Sequence, residues 1–237
     1  MKKLILWVAL SALIFSGCSQ GDPVKNTDCV FTVNDETVST EEFNIYLYET
    51  QQSFEQLGGS DIWETDFDGR TAESVAKDNT FNTIVMVKIA AQRAAKEDLN
   101  VDDETKEKLK TEATNMYNGY SDSVKNGIGA DEKLYYDVLY QNMLYNMILE
   151  DTVKDYSVSD GEFESYFLTN KDKLTQYYKT NTNSSGPVDE DALKDYSYAY
   201  YENSMKQQYF SKEYDKWKAE STIDKNQDVW DKIKLIE

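Results

Sequence analysis

Proline is almost missing from this chain. Of 237 residues only Pro23 and Pro187 are proline. Proline removes a backbone donor and clashes with the preceding turn, so a chain without it can hold long helices unbroken. Apolar residues recur at helical spacing through most of the sequence. The exception is a polar stretch around Pro187, Thr180 to Asp189, after which the helical pattern resumes. The expected class is mainly α with a small amount of β.

The elements can be placed from local signals. "VFTVNDETV" (Val30 to Val38) reads as a hairpin about Asn34-Asp35, residue types that tolerate a tight turn. Ser39, three residues before Glu42, makes a capping box for a first helix that runs to Gly58-Gly59. Phe43, Tyr46, Leu47 and Phe54 give that helix its apolar stripe. "SDIWETDFDGRT" is a loop leading to a second helix from Thr71 or Ala72 to about Leu99. Asp102 or Asp103 caps a third, polar helix that continues through Asn126. A fourth is expected over Asp131–Tyr156, a fifth over Ser159–Leu174 and a sixth over Glu190–Glu220. The tail holds a β-prone piece around Ile223, then an amphipathic turn with Val229, Trp230, Ile233 and Leu235.

The first seventeen residues form a separate object. "MKK" is a positive n-region, and Leu4 to Phe15 has the length of an export signal rather than of a membrane span. Ser16 and Gly17 before Cys18 resemble a bacterial lipobox, in which cleavage before the cysteine leaves a lipidated N-terminus. Residues 1–17 are then a signal peptide, residues 18–29 a lipidated tether, and residues 30–237 one domain. Acyl chains contribute about 0.8 kcal/mol per buried CH₂, so more than one chain is needed for stable attachment. With Cys18 lipidated, Cys29 is the remaining thiol. No internal disulfide is then possible, and Cys29 lacks a nearby cation or second cysteine to activate it. The formal charge is −19 and becomes two units more negative once Lys2 and Lys3 leave. Such a surface disfavours nucleic acid, whose phosphates require Lys and Arg.

Enzymatic chemistry finds little support. The chain has no histidine, which removes the commonest general base, the usual nucleophilic triads and most transition-metal sites. "GIGADE" lacks the spacing and lysine of a phosphate loop. "ETDFDGRTAESV" places Glu64, Asp66, Asp68 and Gly69 as in a calcium loop, but position twelve is Val75 where a bidentate Glu is required. A turn before a helix is the expected reading, with at most weak calcium binding near Asp66 and Asp68. No catalytic residue, metal, cofactor or small-molecule substrate is expected.

The fourth helix is apolar almost all round: twelve of sixteen residues from Leu134 to Leu149 are apolar or aromatic. Such a helix is either central to a core or packed on one side while offering the other to a partner. The chain has 18 tyrosines and 6 methionines, adaptable side chains suited to surfaces that accept many partners. Tyr136, Tyr140, Met143 and Met147 on this helix, with Tyr200 and Met205 on the sixth, are the candidate binding residues. Core packing accounts for them equally well at this level.

The order of these parts resembles a known family. A lipobox precedes "VNDETVSTEEF", then come "IWETDFDGRT", a run of helices, "YSVSDGEFESYFLTNKDKL" and "FSKEYDKWKAESTIDKNQDVWDKI". This is similar to the chaperone domain of SurA/PrsA-type extracytoplasmic foldases, whose N-terminal segment reads Val-Asn-Gly-Glu-x-Ile-Thr-x-x-Glu-Phe. Val33 to Phe43 follows that pattern with Asp35 in place of Gly. The resemblance implies that the N-terminal hairpin pairs with a strand around Ile223, with the helices forming a cradle for unfolded or partly folded exported proteins. It also implies a parvulin-type prolyl isomerase domain inserted in relatives near residues 175–190. That stretch here is far below the roughly 40 residues of an independent fold. The expectation is therefore a membrane-anchored, ATP-independent holdase without isomerase activity, at an outer cell surface compatible with a Gram-positive organism. The alternative is a lipoprotein adaptor for one fixed partner.

Overall fold

A computed structural model describes residues 29–237. The expected signal peptide, Cys18 and the expected tether up to residue 28 lie outside the described residues. The described chain is mainly helical with a small antiparallel sheet, and it divides into two compact units. The first takes residues 29–89, 101–142 and 221–237; the second takes Ala90–Asn100 and Met143–Glu220.

The first unit is organised by a central strand. Strand β1 (Cys29–Val33) turns through Asn34, in the left-handed region at φ 53°, into β2 (Glu36–Ser39). On its other edge β1 pairs antiparallel with β5 (Ile223–Lys225), Thr32 facing Asp224 and Val33 facing Ile223. Asn34 N–H donates to the Thr222 carbonyl (2.7 Å), and Thr222 N–H donates back to Asn34 Oδ1 (2.9 Å). The pairing implied by the family resemblance is therefore present.

Helix α1 (Thr40–Gly58) starts where Ser39 Oγ accepts from Glu42 N–H at 3.1 Å. Only this half of the expected capping box forms. The Glu42 carboxylate turns inward to Lys88 Nζ (2.8 Å) on α2 (Ala72–Lys96), and Glu36 approaches the same ammonium at 3.7 Å. Glu42 and Lys88 are 6% and 4% exposed. A buried ammonium must keep an anionic partner, and that requirement outweighs one more bond at an exposed helix start. Burial pushes the Glu42 carboxyl above its ordinary range, while Lys88 opposes the rise.

The segment read as a possible calcium loop is a short hairpin. A 3-10 turn (Ser60–Glu64) leads to β3 (Asp66–Phe67) and β4 (Arg70–Thr71), with Asp68 and Gly69 at positive φ between them. Asp66 Oδ1 accepts from Gly69 N–H at 2.6 Å, and Arg70 pairs with Asp78. The long third helix expected from sequence is two helices, α3 (Asp103–Gly119) and α4 (Asp122–Ile128). Tyr120 leaves the helix because its side chain is held elsewhere. Its ring packs on Tyr48 and Tyr135, with centroids 5.3 and 5.9 Å away, and its hydroxyl donates to Glu49 at 2.8 Å. Ser121 then recaps the chain by accepting from Val124 N–H.

Polar side chains tie the C-terminal segment into this unit. Gln51 donates to the Ile236 carbonyl and accepts from Ile236 N–H, at 3.0 and 2.8 Å. Lys77 Nζ donates to the carbonyls of Trp230 and Ile233, closing the end of α8 (Gln227–Trp230). Trp230 packs edge-on against Phe43 and Phe81, and Lys225 Nζ lies 3.7 Å from the Trp230 ring centroid.

The second unit includes α6 (Asp160–Thr182) and α7 (Glu190–Ala219). Ser159 and Glu162 form a complete capping box at the start of α6. Val158, Phe163, Phe167, Leu174 and Leu193 form its buried cluster. Helix α6 extends two turns past the expected end at Leu174, so the polar connection shrinks from the expected 175–190 to residues 183–189. Tyr178 packs against the buried cluster, and Thr175 and Thr182 hydroxyls return to the carbonyls of Lys171 and Tyr178. Asn183, left-handed at φ 52°, then ends the helix. Polar sequence alone did not stop the helix, because one of its faces was still packed.

Removing one member of the buried pair leaves the other charge without compensation. Lys88→Met is expected to lose about 3–5 kcal/mol in urea unfolding, and Glu42→Leu with Lys88→Met to recover most of that loss. A Lys88→Met loss below about 1 kcal/mol would show that water compensates Glu42. A carboxyl whose folded pKa is raised takes up a proton on folding, so its contribution falls as pH rises from the ordinary carboxylate value through the raised one. Glu42→Gln should remove that part of the stability–pH slope.

Candidate functional site

Helix α5 (Glu132–Val153) carries the apolar run noted in the sequence, and its residues fall in both units. All twelve apolar or aromatic residues between Leu134 and Leu149 are buried or half-buried; Tyr135, Val138, Leu144 and Ile148 are fully so. The helix therefore packs along this length while eight of the twelve stay partly accessible. Tyr136 and Tyr140, half-buried in the first unit, set their rings 6.1 Å apart. Met143 and Met147 are half-buried in the second. Tyr46, on α1, is buried and accepts a bond from Asn142, and that burial holds its phenol far above the ordinary value.

The accessible aromatic surface lies on α6 and α7. Tyr200 is 50% exposed, and Tyr177, 55% exposed, lies 6.5 Å away between ring centroids. Tyr166 stacks on Tyr201 at 4.1 Å with the planes 14° apart, and Tyr201 in turn approaches Phe163 of the buried cluster. The Tyr166 phenol is raised by burial first, then by the neighbouring phenols of Tyr200, Tyr201 and Tyr177. Met205 is half-buried against the same core. Of the six residues expected for binding, Tyr200 and Met205 thus sit with this cluster, while the four on α5, half-buried like Met205, lie apart from it in sequence.

Tyr166 and Tyr177 were missed as site residues. They are eleven positions apart, about three helical turns, and so share one face of α6. That signal was in the sequence, but ending the helix at Leu174 hid it. Ion pairs brace the flanks: Lys171 bonds Glu190 at 2.8 Å, and Lys194 meets Glu164 at 3.6 Å. Such a surface offers flat apolar rings with polar tips on a rigid helical base. It can cover a client's apolar side chains without a shaped pocket. Among the described residues no group of three or more metal-ligating side chains gathers, and no helix is long and apolar enough to cross a membrane.

The SurA-like N-terminal domain matches residues 1–120, half of the chain. This chain belongs to the SurA-like family. The matched stretch includes the hairpin, α1, α2 and α3, and thus the Val33–Phe43 pattern on which the resemblance rested. Family membership places this SurA-like chain in a chaperone and foldase family. The Foldase protein PrsA of Caldanaerobacter subterraneus subsp. tengcongensis is 24% identical over 180 residues, covering 73% of this chain and 53% of that protein. The SurA-like chain therefore spans about half the length of that relative. No solved structure matches it.

The tyrosine pair of the SurA-like chain stands outside the packed cluster, and that separation is measurable. Tyr177→Ser with Tyr200→Ser should change unfolding free energy by no more than about 0.5 kcal/mol per site, the range for exposed positions. Phe167→Ala, which empties the centre of the cluster, should cost about 3–5 kcal/mol. A tyrosine double variant as damaging as Phe167→Ala would make these rings structural.

Proposed function

We propose that the chain is an ATP-independent holdase or folding factor for unfolded or partly folded exported proteins, held at the outer face of the cell membrane by lipid on Cys18. The observation that carries this reading is the cluster of Tyr166, Tyr177, Tyr200 and Tyr201, with two half-exposed rings, in a chain of the SurA-like family. Exposed clients present apolar side chains, and ring faces bury them without demanding one shape. At about 25 cal/mol per Å², a few hundred Å² of contact yields a gross gain that ordering costs largely offset. Release is then rapid, as a client that must fold requires. The acidic exterior keeps loaded molecules apart.

Prolyl isomerase activity forms no part of the proposal. Helices α6 and α7 are joined by residues 183–189 alone, far fewer than the roughly 40 of an independently folded insertion. The lipobox-like "FSGC" before the tether supports the anchor.

The test is light scattering of a chemically unfolded client diluted into buffer with stoichiometric protein. Suppression of aggregation by the wild type, weakened in Tyr177→Ser/Tyr200→Ser with helical circular dichroism intact, is the expected result. Unchanged aggregation across several unrelated clients would favour an adaptor for one fixed partner. In a protease-coupled proline isomerisation assay the chain should show no turnover above background; turnover would return it to the isomerases.

A further inference from the structure

A second accessible apolar surface lies in the first unit, apart from the tyrosines. Leu57, at the end of α1, is 82% exposed, the most exposed large hydrophobic side chain among the described residues. Ile62, Trp63 and Phe67, half-buried, follow it in the 3-10 turn and β3. This tip is built rather than loose. Trp63 stacks on Phe54 with centroids 5.7 Å apart and planes 7° apart, and its Nε1–H donates to Glu55 at 3.0 Å. Phe67 packs on the same phenylalanine at 6.2 Å. Ile62 closes so tightly on Gly58 that a Cβ there would meet its Cδ1 at 2.5 Å. A glycine is the residue that lets the turn fold back.

Arg70, which faces Phe67 across the β3–β4 hairpin, is paired with Asp78; the other charges around this tip in sequence are negative. From Cys29 to Gly69 the sequence contains no Lys or Arg. Glu55, Asp61, Glu64, Asp66 and Asp68 surround the apolar residues in sequence, and none of them is in an ion pair among the described residues. The last turn of α1 carries no basic residue either, so the negative end of the helix dipole adds to the carboxylates. Some helix-surface carboxylates elsewhere are paired, as Glu104 with Lys108 and Glu107 with Lys110 on α3. An exposed apolar tip in an uncompensated negative field repels anionic lipid, nucleic acid and a second copy of itself.

We propose that this tip docks a cationic segment of another protein, one in which Lys or Arg flanks an apolar side chain. The apolar residue covers Leu57 and the accessible part of Trp63, while the cations meet Asp61 and Glu64. The proposal concerns a different surface from the tyrosine cluster and stands without the holdase reading.

The experiment measures fluorescence anisotropy of a labelled peptide of alternating Lys and Leu added to the full chain, beside Glu/Leu and Lys/Ser peptides. The Lys/Leu peptide should bind, the Lys/Ser peptide more weakly, and the Glu/Leu peptide not at all. Leu57→Ser, exposed and thus neutral for folding, should weaken Lys/Leu binding about tenfold, as should Asp61→Lys with Glu64→Lys. Raising salt from about 0.05 to about 0.5 M should weaken it further. Tyr177→Ser/Tyr200→Ser should leave it unchanged, which separates this result from the holdase test. Equal binding of the Glu/Leu peptide, or full affinity in both tip variants, would overturn the proposal.

Discussion

Strand β1 has a neighbour on each side. One is supplied by the hairpin that follows it, and the other arrives from residues 188 positions later, where Thr222 bonds Asn34. An isolated two-stranded hairpin is marginal in water, so the third strand is what makes this sheet a stable base. Closing so long a loop has a large entropic cost in absolute terms, but that cost grows only slowly with length. The side chains that secure the closure are correspondingly specific. Asn34 bonds at the turn, Gln51 holds both backbone groups of Ile236, and Lys77 satisfies the carbonyls of Trp230, at the end of α8, and of Ile233 beyond it. Each removes a backbone orphan that would otherwise be costly near the core.

The buried polar groups of the first unit act as position markers. Glu42 and Lys88 fix α1 against α2 at one register, since any slip leaves a charge unpaired in the interior. Asn44 donates to the carbonyls of Gly127 and Ile128 where α4 ends, and Asn142 reaches the Tyr46 hydroxyl between α5 and α1. Apolar packing alone would tolerate many neighbouring arrangements of such helices. These bonds select one.

Tyrosine plays opposite parts in the two units, although Tyr214 of the second is buried as well. In the first, Tyr46, Tyr120 and Tyr135 are enclosed, and burial holds their phenols well above the ordinary value. In the second, Tyr177 and Tyr200 stand half in solvent over a stacked Tyr166–Tyr201 pair. Composition could not separate these roles, because the same amphipathic ring suits both settings. The candidate list drawn from sequence accordingly spans both settings, with four half-buried residues on α5 and Tyr200 and Met205 on α7.

Local chemistry was legible throughout. Ser39, Asp102 and Ser159 cap helices in the structure, Asn34 makes the turn, and α7 occupies nearly its expected range. These signals need only neighbours a few residues away, so the sequence alone determined the class, the N-terminal hairpin and the starts of the main helices. What it left open depended on distant partners. Tyr120 broke a polar helix because Glu49 and two other rings held it, Glu42 left its cap for Lys88, and α6 outran Leu174 because Tyr178 still had a core to pack on. Only the tertiary structure decided those points, because each turns on a contact between residues far apart in the chain, whose energy exceeds the fraction of a kcal/mol by which local preference differs.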